Sequence, residues 1–216
     1  MKRLFQRYPF LKFLAPVLDK QAPDSFRLNG DLKVEARTPG REPVIVYDDH
    51  NFIVDLGKTA VRNLLLGPAG GGAYGAVCRM AVGDGGVLPG ELFNPKTPDV
   101  TWPARTGLFH EVIRQDVTIY STPAYNAARF VGTFNSVDVD LTSFSLAEHV
   151  INEAALVIGD GTVHSGGGKK QINKVPPDTP YSGESLLSMR TFRSTPFDPS
   201  QSVIITITWT MTVVTA

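Results

Sequence analysis

The stretch Ser202–Val214, SVIITITWTMTVV, decides the fold class, because apolar and polar side chains alternate along it. Successive side chains of a strand point to opposite faces of a sheet, so one face of this strand is apolar and the other is nearly a ladder of threonines. The apolar face consists of Val203, Ile205, Ile207, Trp209 and Met211. At about 3.3 Å per residue the strand would extend roughly 40 Å. Because an uncovered strand of this kind promotes aggregation, we expect it to be paired on both sides or covered by a partner.

The composition predicts one main globular domain. The chain has 216 residues, a formal net charge of zero, 42% hydrophobic residues and 19% charged residues. This balance argues against a nucleic-acid-binding surface covering the whole chain. No run of about eighteen apolar residues is present, so we expect no membrane-spanning helix. The single cysteine, Cys78, cannot form an intrachain disulfide, and its apolar neighbours predict a small core residue.

Residues 1–42 are predicted to form an extended N-terminal arm, and residues 43–216 the body. Residues 1–41 carry 9 Lys or Arg against 4 Asp or Glu, and prolines interrupt any long helix. The arm could pack on its own domain, dock on a neighbouring subunit or lie on a membrane surface, although the prolines count against the last option. On the docking interpretation, a chain lacking residues 1–42 would fold but fail to assemble. The candidate assembly contacts are Phe5, Tyr8, Phe10, Phe13 and, in a later loop, Trp102.

The body is predicted to be an all-β, antiparallel β-sandwich with one short helix. The helix is expected to begin after Asp55 and to end at Gly67-Pro68, because apolar residues recur there at helical spacing. Long loops are expected near 87–106 and 159–181, which are rich in proline and glycine. Strands without alternating helices indicate a sandwich. The predicted strands span residues 44–47, 74–82, 108–120, 128–134, 137–141, 151–158, 186–192 and 202–214.

The residues that could carry chemistry lack the spacing that catalysis or metal binding requires. Gly83-Asp84-Gly85-Gly86 has neither the Lys and Ser/Thr of a phosphate-binding loop nor the ligand spacing of a calcium hand, so a turn is expected. Asp138 and Asp140 could share one face of a strand and bind a cation, but the solvent face of an alternating strand explains them equally.

The remaining polar signals are also weak. His50, His110, His149 and His164 are scattered without zinc-like spacing, and no Gly-x-Ser-x-Gly elbow supports a hydrolase. The lysines of the segment 166–170 could meet phosphate, but a solvated loop explains them as well. We therefore expect no enzymatic activity, no catalytic residues, no metal and no cofactor.

Five short blocks, in order, resemble a group of tailed-bacteriophage virion proteins encoded among tail and neck structural genes. The resemblance covers residues 44–216. It implies a β-sandwich structural subunit of a ring or fibre-bearing assembly, with no catalytic residues to carry over. The blocks are Asn51–Lys58, Met80–Gly86, Ile151–Leu156, Leu187–Phe192 and Ile207–Val213.

Together these features predict a virion structural protein that forms a collar or neck ring at the head–tail junction through contacts of the arm and loops. The expected partners are further copies of the chain and other virion proteins, such as connector, tail or fibre proteins, with neither membrane nor nucleic acid. The expected location is the virion, assembled in the host cytoplasm. A tail-fibre or baseplate attachment protein is one alternative. A carbohydrate-binding receptor module is another, with Trp102 and Tyr125 as candidate sugar-stacking residues.

Overall fold

The computed structural model describes residues 26–55, 57–58, 77–159, 170–171 and 185–215, and in these residues the chain is built almost entirely from antiparallel strands. Short 3-10 turns span Trp102–Ala104, Ser136–Asp138, Leu141–Ser143 and Pro199–Gln201. The strands are β1 (Phe26–Arg37), β2 (Val44–His50), β3 (Phe52–Ile53), β4 (Val77–Gly83), β5 (Val87–Leu88), β6 (Glu91–Pro95), β7 (Glu111–Asp116), β8 (Ile119–Ala124), β9 (Ala127–Asn135), β10 (Val150–Ile158), β11 (Lys170–Gln171), β12 (Ser185–Pro196) and β13 (Ile204–Thr215).

The alternating strand β13 lies at the centre of a five-stranded sheet with the order β2-β1-β13-β9-β8. It pairs with β1 from Phe26↔Thr215 to Arg37↔Ile204, and with β9 on its other side. The prediction that this strand needs a neighbour on both sides is therefore confirmed.

The two faces of β13 have the characters that its alternation predicts. Ile205, Ile207 and Trp209 are fully buried, whereas the threonines are only partly buried. The strand beside the threonine face is polar, since Lys33 is the register partner of Thr208 and forms an ion pair with Glu35 at 3.1 Å. The threonine ladder therefore belongs to a hydrophilic outer face of the sheet.

A six-stranded sheet, β11-β7-β4-β10-β12-β3, packs against the apolar face of the first sheet in a sandwich-like arrangement. Their shared core joins side chains of both sheets and includes Leu32, Phe134, Ile207 and Trp209 from the first and Met80, Val112, Leu156 and Phe192 from the second. The all-β, antiparallel class predicted from the alternation of β13 is confirmed.

A second cluster covers the opposite face of the six-stranded sheet. Every residue of β10 is buried, because its two faces contact different clusters. Trp102 lies in the second cluster with 1% of its surface exposed, and its ring packs edge-on against Phe52 and Phe109. The segment predicted as a long irregular loop at 87–106 therefore includes the hairpin β5-β6 and a turn that seals the sheet of its own chain.

Three further predicted elements differ from the structure. The strand predicted at 108–120 is two strands, β7 in the six-stranded sheet and β8 in the five-stranded sheet. Residues 26–37, assigned above to the arm, form β1 inside the five-stranded sheet, so the body extends at least to residue 26. The strand predicted at 137–141 is replaced by two 3-10 turns, because Asn135 and Asp140 accept hydrogen bonds from the backbone N–H groups of Val137 and Thr142 and cap those turns.

Several predictions fall outside the described residues. These are the assembly contacts in residues 1–25, the helix beyond residue 58, and the loop predicted at 159–181 apart from residue 159 and strand β11. Cys78 lies in β4, but its side chain is also outside the described part.

Candidate functional site

A cluster of buried polar side chains surrounds the turn Gly83–Gly86 that ends β4. Asp84 is 1% exposed and accepts four hydrogen bonds. Its Oδ1 accepts from His110 Nδ1 at 2.5 Å and from the Ser145 hydroxyl at 2.9 Å. Its Oδ2 accepts from the backbone N–H groups of Ser145 and Leu146 at 2.6 and 2.8 Å. Asp84 thus fastens the turn to two other segments of the chain.

Glu153, on β10, binds the same turn through its side-chain carboxylate. Its Oε1 accepts from the backbone N–H groups of Gly85 and His110 at 3.1 and 2.7 Å, and its Oε2 accepts from that of Phe109 at 2.8 Å. Burial raises the pKa of the Glu153 carboxyl to about 7, while the three N–H groups and the charge of Arg105 oppose the rise. The carboxyl therefore changes its charge close to neutral pH.

Asn152 and Lys96 bind the remaining polar groups of the turn. Asn152 Oδ1 accepts from the Gly86 N–H at 2.6 Å, and its Nδ2 donates to the Asp84 carbonyl at 3.0 Å. Lys96 Nζ donates to the Gly85 carbonyl at 2.6 Å. The N–H groups of Asp84, Gly85 and Gly86 all have partners inside the protein, so they are not free to cradle a phosphate. The predicted turn is confirmed.

The glycines of the turn are required by the close approach of neighbouring backbone. A Cβ at Gly85 would lie 2.5 Å from the His110 nitrogen, and a Cβ at Gly86 would lie 2.5 Å from the Asn152 carbonyl oxygen. Both contacts are shorter than carbon, nitrogen and oxygen atoms tolerate. The glycine pair therefore serves to bring the turn down onto β10.

Two cations beside the cluster, Lys96 and Arg105, pack against the ring of Phe109. Lys96 Nζ and the Arg105 guanidinium lie 3.9 and 3.8 Å from the centroid of the Phe109 ring. Burial lowers the pKa of Lys96, and the nearby Glu153 charge opposes this effect. Arg105 also donates to the carbonyls of Gly107 and Leu108 at 3.1 and 2.9 Å. The aromatic ring and both cations hold the segment between Lys96 and Phe109 on the turn.

The hydrogen bonds of this polar cluster are suited to stabilising the fold around the turn. The hydrogen bond that His110 donates to Asp84 raises the pKa of His110, as in the His–Asp pairs of hydrolases. The hydroxyl of Ser145, however, donates to Asp84 and not to the imidazole, so no activated nucleophile is formed by this trio. In the part of the chain that the structure describes, no group of three His, Cys, Asp or Glu side chains could hold a metal ion.

A second polar hub lies between the two sheets at Asn51. With its amide oriented to satisfy its neighbours, Asn51 donates to the Gly30 carbonyl at 2.6 Å and accepts from the indole N–H of Trp209. The hydroxyl of Ser188 lies between the Asn51 oxygen and the Phe52 carbonyl. One amide thus links β1, β12 and β13 across the sandwich.

The residues singled out from the sequence are dispersed. Asp138 lies in one 3-10 turn and Asp140 caps the next, so the two carboxylates do not share the strand face on which the cation-site interpretation depends. Trp102 is buried within its own chain and is not available as a contact for a neighbour or a sugar, whereas Tyr125 is fully exposed.

The histidines do not converge either. His110 belongs to the polar cluster, while His50 contacts the exposed Asp31 at 2.6 Å and His149 packs against Phe144. His164 lies outside the described residues.

Sequence reasoning missed Glu153 and Asn152 as the centre of the cluster. The signal was available, because these two polar residues interrupt the otherwise apolar run Val150–Ile158. A buried strand seldom carries a charged residue unless that residue has a specific partner.

Among the described residues, no helix is long and apolar enough to cross a membrane. Comparison of the chain with protein-family models, with curated proteins and with solved structures finds no match.

Proposed function

We propose that this chain is a structural subunit of a tailed-phage virion that forms a collar or neck ring at the head–tail junction. One observation carries the proposal. The five sequence blocks that resemble phage virion proteins lie far apart along the chain, yet they meet in the two polar hubs of the fold.

The hub at Asn51 joins three of the blocks. Asn51 comes from the first block, Ser188 from the fourth and Trp209 from the fifth. In the cluster around the turn Gly83–Gly86, Asp84 comes from the second block, and Asn152 and Glu153 come from the third. Residues within these blocks therefore form the hydrogen bonds that link the two sheets and those that attach the turn after β4 to β10. This distribution suits a protein whose work is mechanical.

The shape of the five-stranded sheet also suits repeated contacts between copies. Its edge strands are β2 and β8, and both carry exposed apolar residues, namely Val44 and Ile45 on β2 and Ile119 and Tyr120 on β8. Two different edges favour head-to-tail contacts, which can close into a ring.

Immunogold electron microscopy of virions from the phage or induced prophage that encodes the chain would test the placement. We expect an antibody against the chain to label the head–tail junction at regular stoichiometry. Labelling of fibres or the baseplate would replace the collar placement by the attachment-protein alternative, and absence of the chain from purified particles would overturn the virion proposal.

The carbohydrate-binding alternative is less well supported, because the buried Trp102 leaves Tyr125 as the single exposed member of its proposed aromatic pair. Binding of the purified chain to a glycan array, lost on the substitution Tyr125→Ala, would revive this alternative.

A further inference from the structure

A groove of about 450 Å³ opens where β2 begins, and we name it the β2 groove. Its apolar wall is formed by three side chains that are more than half exposed, namely Val44 (64%), Ile45 (55%) and Phe93 (65%). The end of β12, Arg193–Pro196, also lines the groove. Large apolar side chains that gather in one concave surface mark an interaction site more often than scattered ones do.

The charges at the groove favour an occupant that carries a carboxylate. Arg41 and Arg193 line it together with the single acid Glu42. The Arg193 guanidinium lies 4.5 Å from the centroid of the Phe93 ring, so this cation sits directly beside the apolar wall. An apolar segment that ends in an acidic residue would match both the wall and the two cations.

The chain contains such a segment before β1. Residues Phe13–Leu18, FLAPVL, are uncharged and apolar, and Asp19 follows them directly. The segment precedes the first described residue, Phe26, and its branched and aromatic side chains complement the lining of the groove.

The length of the chain decides which copy can bring Asp19 to the groove. Ala36 pairs with Val44 at the groove, and it lies ten residues along β1 from Phe26. At about 3.3 Å per residue, these two positions are roughly 33 Å apart. Asp19 is seven residues before Phe26, which gives it a reach of about 25 Å even when fully extended. Asp19 therefore cannot reach the groove of its own chain.

We infer that the β2 groove binds the segment Phe13–Asp19 of a second copy of this chain, with Leu14 and its apolar neighbours against Val44 and Phe93 and with Asp19 paired to Arg193. Donor segment and acceptor groove are different surfaces, so the contact is head-to-tail and repeats from copy to copy. The inference deepens the proposed ring by naming the partner of the arm, and in that respect it rests on the proposed function.

Sedimentation velocity of the full-length chain over a range of concentrations tests the inference. The wild-type chain is expected to assemble beyond the monomer. Val44→Asp in the groove and Leu14→Asp in the segment should each weaken self-association by about tenfold or more, since each places a charge in the apolar contact. Val100→Asp is the matched control, because Val100 is 94% exposed and lies outside the groove, and it should change the dissociation constant by less than about twofold.

A charge exchange tests the pairing itself. Asp19→Arg and Arg193→Glu should each weaken association, and the chain that carries both substitutions should recover most of the loss. Circular dichroism of every variant checks that the body remains folded.

The possible results separate the inference from the proposed function. A monomeric wild-type chain, or equal behaviour of Val44→Asp and Val100→Asp, overturns the inference. Weakening by Leu14→Asp alone also overturns it, because the segment would then bind elsewhere. Loss of association in the groove variants, combined with absence of the chain from virions, would sustain the groove contact and overturn the virion proposal.

Discussion

At the scale of single residues, the buried Glu153 carboxyl makes stability depend on pH. Its pKa is raised by burial to about 7 in the folded chain, whereas in the unfolded chain it has its ordinary value of 4.5. Between these values the folded chain binds more protons than the unfolded chain, so the free energy of unfolding falls as pH rises through this window. Glu153→Gln should remove this contribution to the pH dependence. The contribution is a change on the order of 1 to 3 kcal/mol in the free energy of unfolding between pH 4.5 and 7.

Urea unfolding of the wild-type and variant chains at closely spaced pH values measures this effect. Glu148→Gln is the matched control, because Glu148 is exposed, and its slope should equal that of the wild-type chain. His110, whose pKa is raised chiefly by the hydrogen bond that it donates to Asp84, adds a fall in the free energy of unfolding at higher pH that persists in both variants. Identical slopes for wild type and Glu153→Gln would show that the carboxyl does not titrate in this window.

Asn51 links the two sheets through the hydrogen bonds of its side-chain amide. Asn51→Leu keeps the branched outline of the side chain but leaves the Trp209 indole N–H without a partner, whereas the Gly30 carbonyl still accepts from the backbone N–H of residue 51. Because a buried group that loses its partner costs about 1 to 3 kcal/mol, we expect a loss of this size in the free energy of unfolding. Asn94→Leu, at an exposed position of β6, should cost less than about 0.5 kcal/mol. Thermal melts followed by tryptophan fluorescence compare the two variants, and equal losses would contradict the role of Asn51.

At the scale of elements, β1 decides where the chain can be shortened. A chain that lacks residues 1–25 keeps every described strand and should unfold with the cooperativity of the full-length chain. A chain that lacks residues 1–42 loses β1, which leaves one side of β13 and its fully buried Trp209 uncovered, so we expect it to be insoluble or unfolded. This expectation reverses the sequence-based one. Soluble expression and near-ultraviolet circular dichroism distinguish the two chains, and a folded chain without residues 1–42 would refute the central place of β1.

The strands predicted correctly from the sequence are those whose burial leaves a pattern in consecutive residues. The alternation in β13 and the apolar run in β10 predicted both strands correctly, because burial of one or both faces leaves a pattern in consecutive residues. β1 carries the same alternation through Leu28, Leu32 and Val34, but the charged residues between them made it resemble a basic arm. The turns after β9 were misread because a side-chain cap at Asn135 outweighed the strand-like pattern of Val137 and Val139.

The candidate site was predicted less well, because its contacts connect distant parts of the chain. Asn51 and Trp209 are 158 residues apart, and Asp84 and Ser145 are 61 residues apart. The spacing of residues within a short segment does not indicate contacts between residues so far apart. The glycines of the turn after β4 were visible in the sequence, but the carboxylate that binds their N–H groups was not assigned to them.

At the scale of the whole molecule, the order of strands predicts an order of local stability. Strands β13 and β10 have neighbours on both sides and buried faces, whereas β2 and β8 are edges of the five-stranded sheet and all six residues of β8 are exposed. Native-state hydrogen exchange should therefore be slowest for the amides of β13 and β10 and fastest for the outward amides of β8. Exchange in β8 as slow as in β13 would indicate that β8 is covered by another copy in solution.

The pairing of β1 with β13 also has a consequence for biosynthesis. Every residue of β13 is at least 167 positions later in the chain than its partner in β1, so β1 leaves the ribosome long before its neighbour exists. At a synthesis rate of about 5 to 20 residues per second, β1 waits on the order of 10 to 30 seconds without its central partner. During that time β2 can already pair with one edge of β1, but the edge that belongs to β13 and the apolar face of β1 remain uncovered. Yield of soluble protein should consequently be more sensitive to translation speed and to chaperone supply than the stability of the finished fold would suggest.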